Sequence, residues 1–327
     1  MRIPDTPFPA APGTPGPSPV SGGAAAGDAD PGDAAGPIPG GRARVRPSSG
    51  LRGNARVPGD KSISHRAALL AAVARGRTVI DNYSPGEDCA ATLRCIATLG
   101  AVVERDGPAR VAVTGVGGHG FRSPGRPLDA GNSGTTLRLL LGLLAGQPVE
   151  ATLTGDASLR RRPMARVVEP LRRMGATITG PDGGARAPLT VRGGALRGIT
   201  HHSPIASAQV KSALLLAGLC AHGTTAVTEP ALSRDHTERI LPLFGVRVER
   251  EGLRVAVEGG QEVRACPRLA VPGDLSAAAF YLAAGALCPD GEVTVRGVGV
   301  NPTRTGFLEV LAAMGARVEI RPATRPE

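Results

Sequence analysis

The sequence predicts an α/β protein built from a repeated unit, and three observations carry that expectation. A polar Gly/Ser loop, an apolar helix, a glycine and a β-rich strand follow one another four times. The loops are GDKSISHR (59–66), GNSGTTLR (131–138), ASAQVKSA (206–213) and GDLSAAAF (273–280). A second amphipathic helix in each unit closes on a glycine, in TLGAVVE, RMGATIT, LFGVRVE and AMGARVE. Those glycines, 100, 175, 245 and 315, are spaced by 75, 70 and 70 residues. Two independent landmarks recurring in step mark a true repeat, and alternating helical and strand segments mark the class.

Each unit reads strand, loop, helix, strand, helix, strand. The repeat-opening helices are expected to end near Gly76, Gly146, Gly223 and Gly291, where glycine supplies the left-handed cap. Every unit sets its polar loop at a helix N-terminus, where free N–H groups and the macrodipole favour anions. A single Ser, Asn or Asp there is an ordinary N-cap. Four loops in register, three of them carrying Lys or Arg, point instead to a cleft for an anionic ligand.

Composition sets the boundaries. Residues 1–50 are rich in Pro, Gly and Ala and show no period, so they predict a disordered extension. They lack the basic start and apolar core of a secretory signal. Residues 51–255 hold three units, read as a substrate-binding domain, and 256–327 hold the fourth, read as the start of a second domain. No segment approaches the roughly 18 apolar residues of a membrane span. Five cysteines, at 89, 95, 220, 266 and 288, lack CxxC spacing and are expected to be small buried hydrophobes. His201 and His202 have no neighbouring carboxylate or Cys, so no metal site is expected there.

The net charge of +10 calls for an anionic partner, but aromatic residues make up only 2% of the chain and Trp is absent. Stacking platforms for single-stranded nucleic acid are therefore scarce, and a small, highly charged substrate fits better. Of 38 basic residues only Lys61 and Lys211 are lysines, both in the first turns of repeat-opening helices. A lysine kept where arginine is nearly universal suggests a compact ammonium that turns its donors between partners. Lys61 is the stronger candidate because Ser62 and Arg66 accompany it within a turn and a half.

At these residues the chain resembles a known family. VPGDKSISHRAALLAA and LDAGNSGTTLRLLLGLLAG are similar to the two signatures of the 5-enolpyruvylshikimate-3-phosphate synthases. GDASLRRRPMARVVEPLRRMGA, PIASAQVKSALLLAGL, SRDHTERILPLFGV, VPGDLSAAAFYLAAGAL and NPTRTGFLEVLAAMGA continue the resemblance in order, over roughly 45–320. SAQVKSA and RDHTE resemble the second class of these enzymes. The resemblance implies an inside-out α/β barrel of six repeats in two domains. It also implies transfer of the enolpyruvyl group of phosphoenolpyruvate to the 5-hydroxyl of shikimate 3-phosphate, through a tetrahedral adduct and with release of phosphate. No cofactor or metal is implied, and a cytoplasmic monomer without nucleic-acid or membrane partners is.

Carried over motif by motif, the resemblance has Lys61 contact both substrates and Ser62 and Arg66 bind shikimate 3-phosphate. Gly134 lets the backbone approach phosphoenolpyruvate, which Arg162 clamps. Ser207 and Gln209 hold the shikimate phosphate and ring hydroxyls, and Arg234 closes on the same phosphate. The chemistry agrees, since charge-assisted bonds from Arg to phosphate or carboxylate contribute about 1.5–3 kcal/mol each. Arg160 and Arg161 read as solvated charge, and His65 and His236 receive no role. Four of the family's six repeats have counterparts, and the proton-accepting Asp and a KESDR-like Lys/Glu pair have none. The expectation is a chain that binds shikimate 3-phosphate but turns over poorly or not at all.

Two other readings compete. The sister enzyme that adds enolpyruvyl to UDP-N-acetylglucosamine has Lys-Asn where this chain has Lys61-Ser62, and usually a Cys in the loop where this chain has RRRPM. A non-catalytic anion- or nucleic-acid-binding protein would keep the fold and the charge.

Overall fold

A computed structural model describes residues 50–322, so residues 1–49 of the expected extension lie outside the described residues. The first repeat runs β1 (Arg52–Arg56), α1 (Lys61–Val73), β2 (Arg75–Asp81), α2 (Glu87–Thr98), β3 (Val102–Arg105) and β4 (Arg110–Val116). The second runs β5 (Leu128–Asp129), α3 (Gly134–Ala145), β6 (Glu150–Thr154), α4 (Ala157–Arg161), α5 (Ala165–Arg173), β7 (Thr177–Thr179), the single turn α6 (Pro181–Gly184) and β8 (Leu189–Arg192). The third opens with β9 (Leu196–Arg197), β10 (Thr200–His202), α7 (Ala208–Gly218), β11 (Ala221–His222) and β12 (Thr224–Thr228). It continues through α8 (His236–Ile240), a 3-10 turn (Leu241–Phe244), β13 (Glu249–Glu251) and β14 (Arg254–Glu258). Last come β15 (Arg268–Ala270), α9 (Leu275–Leu287), β16 (Glu292–Arg296) and α10 (Gly306–Ala313).

The repeat is therefore one strand longer than the sequence reading, because each of the first three units ends in a hairpin. Each has a four-stranded sheet of the same design, β15-β2-β4-β3, β5-β6-β8-β7 and β10-β12-β14-β13. In each the first pair is parallel and the other two are antiparallel. The repeat-opening helices α1, α3 and α7 are almost wholly buried between these sheets, in keeping with their all-round apolar sequences. Helices inside and sheets outside make the inside-out α/β arrangement.

The four glycines of the second landmark do what their spacing predicts. Gly100, Gly175, Gly245 and Gly315 follow α2, α5, the 3-10 turn and α10 with φ of +110°, +110°, +78° and +97°. Among the first set, only Gly146 serves directly as a C-cap, for α3, and its φ of −95° is not the left-handed conformation expected there.

Sheet pairing departs from the expected boundaries at 51 and 255. β15, grouped by sequence with the last segment, fills the open edge of β2 in the first sheet. β1, grouped with the first, pairs in parallel with β16. The chain thus crosses twice between the two bodies, and it does so at two copies of one tetrapeptide, Val57–Asp60 and Val271–Asp274, both VPGD. Asp60 N donates to Pro272 O at 2.8 Å and Asp274 N to Pro58 O at 2.9 Å, with Gly59 and Gly273 bridged antiparallel between them. The two crossings are held together by matching backbone bonds.

The main core runs from Ile63 to Val271, whereas Val57, Leu275, Ala278 and Leu308 form a small second cluster. Phe280, Leu287 and Met314, on the outer faces of α9 and just after α10, are largely exposed. All five cysteines are free; Cys89 and Cys95 are buried as expected, while Cys220, Cys266 and Cys288 are half-buried. No helix among the described residues is long and apolar enough to cross a membrane.

Candidate functional site

Each repeat-opening helix begins with a side-chain cap. Ser133 Oγ accepts from Thr136 N at 3.1 Å above α3, and Ser207 Oγ faces Val210 N at 3.5 Å above α7. Asp60 accepts from Ile63 N at 2.9 Å, and Asp274 from Ser276 N at 2.7 Å. The four loops are therefore not equivalent. A carboxylate cap brings its own negative charge, so α1 and α9 have less to offer an anion than the hydroxyl-capped α3 and α7. Burial, helped by the charge of Asp274, raises the pKa of Asp60 against the opposing bond from Ile63 N and the charge of Arg304.

Around the start of α1 stand Lys61, Ser62 and Arg234. Lys61 Nζ lies 3.0 Å from Asp88 Oδ2. Ser62 Oγ accepts from Arg234 Nη1 at 3.1 Å. Arg304, from the loop before α10, joins them: its Nη2 donates to Ser276 Oγ and lies 3.7 Å from Asp274 Oδ1. Burial and the nearby Arg304 both lower the pKa of Arg234. The sequence reading passed over Arg304, although its place in NPTRTGF, just ahead of a helix, was visible.

A second group gathers where α3 and α7 begin. Gln209 takes a bond from Arg138 Nη1 to its Oε1 at 2.7 Å and gives one from Nε2 to Thr135 Oγ1 at 2.8 Å. Arg162 donates to Asn132 Oδ1, and Asn132 Nδ2 to Asp156 Oδ2 at 2.7 Å. Gly134 sits between the two guanidinium groups. A Cβ built on it falls 2.8 Å from Arg138 Nη1 and 3.2 Å from Arg162 Nη1. Burial, then Arg162 and Arg166, depresses the pKa of Arg138. Two crowded cations in a partly dehydrated corner are better satisfied by an anion than by water. Arg138 was missed as a site residue, yet it lies four positions after Gly134 and so on the same helical face.

The two groups are joined through Asp88, whose carboxylate pairs with Lys61 and whose backbone oxygen accepts from Thr136 Oγ1 at 3.3 Å. Beneath them a buried chain of side chains runs from His65 Nδ1 to Thr92 Oγ1 and on to Thr136 Oγ1, each step 2.7 Å. Helices α1, α2 and α3 are thereby tied together.

Arg66 and Lys211 are placed differently from the other candidates. Arg66 is 3% exposed. It donates from Nε to Thr237 Oγ1 at 2.7 Å, from Nη1 to Ser62 O at 2.9 Å and from Nη2 to Ser212 Oγ at 2.7 Å. Burial lowers its pKa to about 10. Lys211, read as a possible ligand-facing ammonium, is buried between Glu229 and Glu238. Arg160 and Arg161 are exposed, as expected. His201 is buried and His202 exposed, on opposite faces of β10. No group of three His, Cys, Asp or Glu among the described residues is placed to hold a metal.

A family profile described as EPSP synthase (3-phosphoshikimate 1-carboxyvinyltransferase) matches residues 45–325. Among curated relatives, the 3-phosphoshikimate 1-carboxyvinyltransferases of Geobacillus thermodenitrificans and Geobacillus kaustophilus are each 57% identical over 272 residues. The alignments cover 83% of this chain and 62% and 63% of those proteins, so the chain spans less than two thirds of their length. The solved EPSP synthase from Acinetobacter baumannii is 44% identical with a TM-score of 0.77, covering 82% of this chain and 61% of that one. With the profile spanning nearly every described residue, the chain belongs to the EPSP synthase family.

Proposed function

We propose that this chain binds shikimate 3-phosphate and phosphoenolpyruvate for transfer of the enolpyruvyl group to the 5-hydroxyl, with release of phosphate. The observation that carries this reading is the pair of connected cationic groups at the starts of α1, α3 and α7. Lys61 and Arg234 flank Ser62 in one, and Arg138 and Arg162 flank Gly134 in the other. Two anionic substrates that must meet need two such groups with a shared residue between them, and Lys61 with Asp88 occupies that position.

In this reading Ser62, Ser207 and Arg234 take the phosphate of shikimate 3-phosphate, Gln209 its ring hydroxyls, and Lys61 reaches both substrates. Arg162, with Arg138 beside it, clamps phosphoenolpyruvate where Gly134 leaves room for it. Arg66 supports Ser62 from below as well as belonging to the shikimate set. The 5-hydroxyl oxygen loses its proton and adds to the substituted vinyl carbon of phosphoenolpyruvate while the methylene carbon gains a proton. The resulting methyl group then gives up a proton as the bond from the substituted carbon to the phosphate oxygen breaks. Pre-placed cations favour such a step because phosphate charge must be stabilised as it leaves. The family likeness further supports a cytoplasmic monomer that works without nucleic acid.

The test is a calorimetric titration of the chain with shikimate 3-phosphate beside Arg234→Gln. Saturable binding weakened about tenfold or more in the variant is expected from the loss of one charge-assisted contact. A folded chain that does not bind shikimate 3-phosphate overturns the reading.

A further inference from the structure

Lys211 is one of the chain's two lysines and is 2% exposed. Its Nζ lies 2.7 Å from Glu229 Oε2 and 2.8 Å from Glu238 Oε1. Glu238 in turn stands close enough to Arg66 to favour its charged form. Glu229, Lys211 and Glu238 thus form a buried row of alternating sign centred on α7, with Arg66 near its Glu238 end.

The ends of the row matter more than its middle. At one end Glu229 Oε1 accepts from Ser207 N at 2.7 Å, and Glu229 Oε2 accepts from Ser233 Oγ at 2.7 Å. One carboxylate therefore grips both the N-cap of α7 and the residue preceding Arg234. At the other end Arg66 donates to Ser62 O and to Thr237 and Ser212. Ser62, Ser207 and Arg234 come from three separate stretches of chain, and each is tied to this row either directly or through its neighbour. Ser207 Oγ makes only a long 3.5 Å contact within its own helix turn, so the backbone bond to Glu229 does most to set its position.

A buried ion row is no better for stability than well-packed apolar side chains, but its distances and directions are strict. Strictness is what a phosphate site assembled from three segments requires. We propose that Glu229 and Lys211 are positioning residues that hold Ser207 and Arg234 at the spacing of one phosphate, that of the acceptor assigned above. The proposal rests on that assignment for the identity of the anion, and on the geometry alone for the anchoring.

The test uses the full chain, Glu229→Gln and Ser233→Ala, with amide hydrogen exchange and calorimetric titration by shikimate 3-phosphate. The Gln side chain keeps an acceptor for Ser207 N but removes the charge that pairs with Lys211. Exchange at Ser207–Val210 is expected to speed up about tenfold while Gly134–Leu137 is unchanged, and affinity to fall about tenfold. Ser233→Ala, which leaves both ion pairs of Lys211 intact, shifts both readouts the same way by less, and it decides the matter if Glu229→Gln does not fold. Unchanged exchange and affinity overturn the proposal. Faster exchange spread evenly over α1, α3 and α7 also overturns it, since that is the mark of general loosening. Local loosening in a chain whose wild type binds no shikimate 3-phosphate upholds the anchoring and overturns the acceptor.

Discussion

Lys61 Nζ stands 3.0 Å from the carboxylate of Asp88, and both side chains keep substantial contact with solvent. The pair holds the ammonium at the mouth of α1 without burying it, so substrate can take it over. Exposed pairs of this kind contribute about 0–1 kcal/mol to stability. Lys61→Met is therefore expected to unfold at nearly the wild-type urea midpoint while binding shikimate 3-phosphate about tenfold or more weakly. Equal affinity in the two proteins would remove Lys61 from the site.

Gly134 is where backbone, Arg138 and Arg162 meet, and a methyl group there presses on both guanidinium groups. Those atoms end flexible side chains, so Gly134→Ala should fold with a loss of less than about 1 kcal/mol. The displaced cations are the pair assigned to phosphoenolpyruvate. Its apparent affinity, measured with shikimate 3-phosphate saturating, is expected to fall about tenfold, with little change for shikimate 3-phosphate itself. Equal weakening of both substrates would show that the two cationic groups are not distinct subsites.

These two sites were legible in the sequence to different depths. Gly134 and Lys61 stand in loops whose recurrence is visible, and the glycines at 100, 175, 245 and 315 announced their left-handed caps through spacing alone. Arg138 was overlooked although its spacing from Gly134 puts it on the same face, whereas Lys211 was misjudged because residue type and helix position do not tell which way a side chain faces once a helix is buried on all sides. Lys211 needs Glu229 and Glu238, 18 and 27 positions away, and such pairing leaves no local pattern. The exchange of β1 and β15 between the two bodies was hidden for the same reason. Both VPGD copies were in view, but that they bond to one another is a long-range fact.

Gly59 lies at that crossing, and a Cβ there would fall 1.7 Å from Asn82 O and 3.0 Å from Val271 Cγ1. The first obstacle is backbone, which cannot swing aside as a side chain can. Gly59→Ala must move the first crossing away from the backbone at Asn82, just after β2, and is expected to cost about 2 kcal/mol or more in urea unfolding. A loss below about 0.5 kcal/mol would mean the crossing is far more pliant than its paired backbone bonds suggest.

Burial, reinforced by Arg66, holds the pKa of both His65 and His236 down to about 3. An unfolded imidazole titrates near 6.5. Between those values the unfolded chain takes up protons that the native chain refuses, so stability falls as pH falls. Each histidine contributes about 1.4 kcal/mol per pH unit, or about 2 kcal/mol between pH 6.5 and 5. Asp60, whose pKa is raised, acts in the opposite direction, but only near the carboxylate range. Urea unfolding at pH 7.5, 6 and 5 measures the slope. His65→Asn, which keeps a polar partner for Thr92, should remove about half of it. A flat wild-type profile would contradict buried neutral imidazoles.

The ammonium of Lys211 sits directly between the Glu229 and Glu238 carboxylates, and all three side chains are almost fully buried. Lys211→Met fits the space but leaves two carboxylates facing each other without their shared cation. Breaking a buried pair in this way costs about 3–5 kcal/mol, because the charge left behind has no solvent to turn to. Neutralising the partners as well, in Lys211→Met with Glu229→Gln and Glu238→Met, should recover a large part of that loss. The glutamine introduced at position 229 still accepts from Ser207 N, and Arg66, which loses the nearby charge of Glu238, keeps its bonds to Thr237, Ser62 and Ser212, so the recovery is partial. Urea midpoints of the wild type, the single variant and the triple variant measure both steps. A single variant within about 1 kcal/mol of wild type would show that the two contacts of Lys211 contribute little to stability. A triple variant as unstable as the single one would show that packing, not charge, fixes this part of α7.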